Sequence, residues 1–109
     1  MEERAVQVLC KEERLRIIQL LAKSPLPLSA LKAAVGSNFS SLLHHLRALQ
    51  QAGLVEVIKL RPRLSVAYLK FDIKFSFETE SGPKIELKPR EPPAESELMM
   101  AYWKLLLRK

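Results

Sequence analysis

The sequence predicts a small α+β fold, mainly helical, and three observations predict it. Apolar residues recur every three to four positions over residues 3–22 and 39–51, the period of helices with one buried face. They alternate every second position over residues 69–79, the period of a half-buried strand. The breaks between these stretches carry proline, glycine or asparagine, the residues that end or turn regular structure. With 109 residues, 48% of them hydrophobic, the chain can bury one modest core, and a domain of this size often shares surface with a second copy. A single domain over 1–109 is expected: a core over 3–73, an additional β-hairpin over 74–90 and a C-terminal helix over 94–109.

From about Glu3 to Ala22, the residues Val6, Leu9, Leu15, Ile18 and Leu21 form an apolar stripe between charged neighbours. The pattern fits one long amphipathic helix or two short ones. Lys23-Ser24-Pro25-Leu26-Pro27 ends it, because proline lacks the amide hydrogen and restricts the residue before it. A second helix is expected with Ser29 as N-cap and Leu28, Leu31, Ala34 and Val35 as its apolar stripe, stopping at Gly36. Gly36-Ser37-Asn38 makes a tight turn, since Gly and Asn tolerate the left-handed backbone such a turn needs. The next helix runs from about Phe39 to Gln51, with Leu42, Leu46 and Leu49 inward and Leu43 helping, and Gly53 suits the position just past its end.

Leu54–Leu60 reads as a strand apolar on both sides, Arg61-Pro62-Arg63 as a turn with two cations at its tip, and Ser65–Ile73 as the returning strand. Leu69, Phe71, Ile73, Phe75 and Phe77 then alternate with Lys70, Asp72, Lys74, Ser76 and Glu78. The Ser81-Gly82-Pro83 turn leads to a short strand through Ile85 and Leu87 that pairs back on it. Arg90-Glu91-Pro92-Pro93 is a stiff break. A last helix begins near Ala94 or Ser96, with Leu98, Met99, Tyr102, Leu105 and Leu106 on one side and Met100, Trp103 and Leu107 on another. It is too apolar all round to lie alone on a monomer surface. Helix, turn, helix and then a hairpin is the order of parts in a winged helix-turn-helix, whose second helix reads DNA.

Charge points the same way. The net charge is +6, which favours a polyanionic partner without specifying a fold. Residues 28–74 hold seven basic and two acidic groups, whereas residues 75–109 hold six of each, and Leu28–Gly53 has no acid at all. The single cysteine, Cys10, excludes an intramolecular disulfide or a multi-thiolate metal site and reads as a small buried hydrophobe in a reducing compartment. The opening MEERAVQVLCKEERL is unlike a signal peptide, and no run of about eighteen apolar residues occurs. A cytoplasmic protein with no membrane span is expected. No Ser-His-Asp order and no glycine-rich phosphate loop is present, and three glycines are too few for a nucleotide cradle, so catalysis is not expected.

The run HHLRALQQAGLV at His44–Val55 resembles the ArsR-type winged-helix repressors. His45, Leu46, Leu49, Ala52, Gly53, Leu54, Val55 and Tyr68 stand where that family commonly has a Ser-x-His-Leu core, a following leucine, Ala-Gly-Leu-Val and a tyrosine near the end of the wing hairpin. The likeness covers residues 5–70, the ERLRIIQLL run included. It implies a homodimer joined through its first and last helices, and repression by occupying an operator. Two departures carry consequences. The family's serine is Leu43 here, which removes a polar contact. The cysteine pair of the metal-sensing members has no counterpart in Leu31–Val35, so no metal is expected there, and no cofactor is expected elsewhere.

Under this reading Asn38, Ser40, Ser41 and His44 are candidates for base or adjacent phosphate contacts, with Arg47 reaching the DNA backbone. Lys59, Arg61 and Arg63 would lie on phosphates or in the minor groove, and Lys32 is a weaker candidate. The plainer reading makes Ser40 and Ser41 helix-start residues, Asn38 a cap and the hairpin tip a solvated turn. His44 and His45 point about 100° apart on a helix and cannot share one ligand. Leu98, Met99, Tyr102, Trp103 and Leu106 are expected at a dimer interface rather than around an effector. The expected partners are double-stranded DNA and a second copy, with no membrane; the effector stays open. The alternatives are a winged-helix protein-interaction module of a larger complex and a sequence-nonspecific nucleic-acid binder.

Overall fold

The first amphipathic stretch is interrupted. Val8 and Leu9 are helical, Lys11 is extended (φ −102°, ψ 130°), and a new helix, α1, spans Glu12–Lys23. The computed structural model describes residues 8–9, 11–36, 38–62, 64–78 and 82–107. Glu3, Val6, Cys10, Ser37, Arg63 and Ser81, named above, lie outside the described residues, as do the side chains of Phe75, Ser76, Phe77, Glu78, Tyr102, Leu105, Leu106 and Leu107.

α1 begins with Glu12 and Glu13 and ends with Lys23, matching acids to the positive end of the helix dipole and a cation to the negative end. It buries Arg14, Ile17, Ile18 and Leu21. Leu15, expected inward, is only half-buried. At 100° per residue the stripe through 14, 17, 18 and 21 leaves position 15 at its edge.

The proline-rich break holds a strand the periodicity does not mark. β1, Leu26–Pro27, pairs antiparallel with the strand returning from the wing, Leu26 opposite Ala67 and Pro27 opposite Val66. Proline has no N–H to give a ladder and is confined to edge strands, and β1 is an edge of its sheet. α2, Leu28–Val35, starts at once, so its N-cap is Pro27, with no side-chain cap bond, and not Ser29, which is exposed within the first turn. Leu31 and Val35 are buried, whereas Ala34 is exposed. Gly36, at φ 77°, ends the helix, its N–H donating to the Lys32 carbonyl at 3.0 Å.

α3 spans Phe39–Gln51 and buries Leu42, His45, Leu46 and Leu49. Its N-cap is Asn38, whose Oδ1 accepts from the Ser41 N–H at 2.8 Å. At the other end Gly53 takes φ 79°. Its N–H donates to the Gln50 carbonyl at 2.9 Å, and the Leu54 N–H donates to the Leu49 carbonyl at 3.0 Å. Leu49 and Leu54 are both fully buried, so the left-handed cap carries the apolar contact that usually accompanies it.

β2, Val55–Arg61, and β3, Leu64–Leu69, form the hairpin. Their register runs from Val55 opposite Leu69 to Lys59 opposite Ser65, then shifts to set Arg61 opposite Leu64. The sheet order is β1-β3-β2. The returning strand, expected to reach Ile73, stops at Leu69. The chain bends at Lys70, whose N–H donates to the Leu54 carbonyl at 2.9 Å and whose carbonyl accepts from the Arg90 N–H at 3.0 Å. β4, Phe71–Glu78, and β5, Gly82–Pro89, then make a separate two-stranded sheet. Within it Ile73 stands opposite Leu87, Asp72 opposite Lys88 and Lys74 opposite Glu86. Phe71, Ile73 and Leu87 pack against the core, where Ile85 is buried.

α4, Glu95–Leu107, follows the proline break and packs against β1. The main core lies where α1, α2 and α3 meet β2 and β3, centred on Ile17, Leu21, Leu31, Leu42, Leu46, Leu49 and Leu54. The molecule measures 49 × 29 × 22 Å.

Candidate nucleic-acid interface

The surface opposite the core stripe of α3 is set by the helix period. Leu42, His45, Leu46 and Leu49 define the inner side, and counting 100° per residue puts Ser40, His44, Arg47 and Gln51 on the diametrically opposite one. All four are exposed, and Ser41 is half-buried. Lys32 is exposed on α2, and Lys59 and Arg61 are exposed on the wing strand β2. α2 packs on α3, and α3 packs on β2, so adjoining elements carry these groups. Arg63 lies outside the described residues. Asn38 is exposed, but its carboxamide oxygen is held by the cap, which leaves the amide NH₂ as its available donor.

Behind this face is a polar strut. His45 is buried, and its Nδ1 accepts from Arg14 Nε at 3.1 Å, while its Nε2 meets the Glu13 carboxylate. Arg14 Nη1 donates to the Val8 carbonyl at 3.1 Å. A ring nitrogen that accepts carries no proton, so the neutral imidazole has its hydrogen on Nε2, facing Glu13. His45 therefore ties α3 to α1 and is turned away from the outer face. His44 is exposed beside it, the two rings 5.6 Å apart between centroids and tilted by 59°. Among the described residues no group of three or more His, Cys, Asp or Glu side chains is placed to hold a metal ion.

At the base of the wing, Glu56 Oε1 accepts from the Val57 N–H at 3.2 Å and from Gln50 Nε2 at 3.4 Å. Tyr68 stands opposite Glu56 in the hairpin. Burial, and after it the Glu56 carboxylate, pushes the Tyr68 phenol above its ordinary value of 10.0.

On α4 the expected interface residues separate. Leu98 is 4% exposed; it is already buried within its own chain, since it faces inward where α4 joins the domain. Met99 is half-buried and Trp103 is exposed, while Tyr102 and Leu106 have side chains outside the described residues. Met100 is 55% exposed. Its side of α4 lines a cleft of about 580 Å³ against Pro25, Leu26 and Arg90.

Two residues were missed by the sequence reading. Arg14 shares the inner face with Ile18 and Leu21 at i+4 and i+7, a spacing that could have revealed it. Phe39 opens α3 off the Leu42, Leu46 and Leu49 stripe and is left 47% exposed.

Residues 11–58 match the family model described as a helix-turn-helix domain. The whole arrangement is similar to a structure solved by NMR in solution, with a TM-score of 0.57 and 19% identity over 97% of this chain and 76% of that one. That structure is the homodimeric winged helix-turn-helix DNA-binding domain (fragment 1–100) of a possible ArsR-family transcriptional regulator from Mycobacterium bovis. The fold is a winged helix-turn-helix. In it α2 and α3 are the helix-turn-helix pair, and β2 and β3 are the wing. The His44–Val55 run that resembles ArsR-type repressors lies inside the matched segment. No curated protein matches the chain in sequence. No helix among the described residues is long and apolar enough to cross a membrane.

Proposed function

We propose that this chain is a DNA-binding transcriptional regulator, a homodimeric repressor that reads the major groove with α3 and holds phosphate or the adjacent minor groove with its wing. One observation carries the reading: the outer face of α3, with Ser40, His44 and Arg47 exposed, lies in a segment without a single acid and adjoins a wing strand bearing exposed Lys59 and Arg61. Hydroxyl, imidazole and guanidinium groups match the donors and acceptors of base edges and phosphates. A carboxylate there would be repelled by the duplex. Met99, Met100 and Trp103 on α4 support pairing with a second copy, as does the homodimeric state of the similar Mycobacterium bovis domain. A two-fold pair of recognition helices reads half-sites about one helical turn, roughly 34 Å, apart. Occupancy of such a site blocks a promoter sterically.

The test is binding to a labelled duplex from the gene's own upstream region, against a random duplex of equal length, across a salt series. A preference of about a thousandfold or more is expected. Neutralising Arg47 or Arg61 to glutamine should each reduce the slope of log affinity against log salt by about 1. Equal, steeply salt-dependent binding to both duplexes would mark a nonspecific binder. No binding at low salt would overturn the reading and leave the fold as a protein-interaction module.

A further inference from the structure

Phe39 is the first residue of α3, and 47% of it is exposed. The helix already has its inner stripe filled by Leu42, His45, Leu46 and Leu49, whose centre lies about 70° round the helix from Phe39. One turn on, at i+4, half-buried Leu43 occupies the same side, and exposed Arg47 follows at i+8. Residues at this spacing are neighbours on a helix surface. The row therefore starts with two apolar side chains at the N-terminal end of the recognition helix and finishes with a cation. No charged residue lies within the first turn, Phe39-Ser40-Ser41-Leu42.

In helix-turn-helix docking the N-terminal residues of the second helix come closest to the base edges. Those edges present donors and acceptors, and the apolar group among them is the C5-methyl of thymine. A phenyl ring over a guanine, cytosine or adenine edge would strip water from polar atoms and return no hydrogen bond. Over a thymine methyl it loses nothing. We infer that Phe39, backed by Leu43, reads the thymine C5-methyl, so that each half-site carries a required thymine under the start of α3. The inference rests on the proposed DNA reading and adds a base identity to it.

The experiment selects a preferred duplex from a random library with the full wild-type chain, then replaces its thymines one at a time by deoxyuridine, which removes only the methyl. At one thymine in each half-site, wild-type affinity should fall about threefold to fivefold, the loss for one buried methyl. Phe39→Ala should bind the thymine and deoxyuridine duplexes equally, with helix content unchanged by circular dichroism. If wild type ignores every replacement, or if Phe39→Ala still discriminates, the Phe39 assignment is overturned while the DNA reading stands. If no duplex is enriched at all, the DNA reading itself fails and the assignment falls with it.

Discussion

At the scale of single residues, the Arg14–His45 contact determines how firmly α3 is seated. A buried donor or acceptor stripped of its partner costs about 1–3 kcal/mol, whereas removing both partners together is far milder. His45→Leu leaves Arg14 Nε without its acceptor, and Arg14→Met leaves His45 Nδ1 without its donor. Each single variant should lose about 1–3 kcal/mol in urea denaturation, and the double variant should lose clearly less than their sum. Strict additivity would mean the bond contributes nothing shared. This pair was hard to see in the sequence for a physical reason. A search for periodic apolar residues passes over polar ones, so Arg14 reads as one more surface charge in a run of glutamates and arginines. Its spacing to Ile18 and Leu21 marks the inner face, but its partner His45 lies 31 residues on and meets it only in the fold. His45, by contrast, was legible as part of a family pattern, though its partners were not.

At the scale of elements, the ends of α3 are its most determined features. Both were marked in the sequence, Asn38 by its side-chain chemistry and Gly53 by its freedom at positive φ. An added Cβ at Gly53 would meet no atom within 4 Å, so the cost of Gly53→Ala is that of the left-handed backbone alone, about 1–2 kcal/mol. Asn38→Ala, which deletes the bond to the Ser41 N–H, should cost about 1 kcal/mol. Because the two ends are far apart on the helix, thermal or urea unfolding of the pair should show additive losses, and a neutral Asn38→Ala would mean the cap bond is replaced by water at no loss. The wing was legible too, as two apolar runs about a proline. β1 was not, since two residues have no period. The cut at Lys70 was also hidden, because the alternation of Leu69, Phe71 and Ile73 runs straight across it, and alternation reports a face, never a partner. Only the backbone bonds from Lys70 to Leu54 and Arg90 reveal that one sheet ends and another begins.

At the scale of the whole molecule, the C-terminal helix has two sides with different fates. Leu98 belongs to its own chain's interior, whereas Met100 and Trp103 are about half exposed. Assembly is therefore best perturbed at the outward residues. On the proposed homodimer, wild type should sediment as a dimer and the Met100→Glu, Trp103→Glu variant as a folded monomer. A variant that remains dimeric would place the contact elsewhere. The sequence foretold an apolar helix in need of a cover, but not which residues the chain would cover itself, because that depends on the angle at which the helix leaves the Pro92-Pro93 break.

The charges of the β4–β5 hairpin have a consequence for how the molecule travels. Asp72 faces Lys88 and Lys74 faces Glu86 across the strands, so this arm is close to neutral along its length, while residues 28–74 hold the excess of cations. The centre of charge is thus displaced from the centre of mass. In the field of a polyanion such a body feels a torque as well as a pull, and it turns as it approaches. Since ions damp the field beyond about 8 Å at physiological salt, the turning is confined to the last few ångströms before contact. For the proposed DNA-binding face, the consequence is a larger fraction of productive collisions, a gain in arrival rate rather than in residence time.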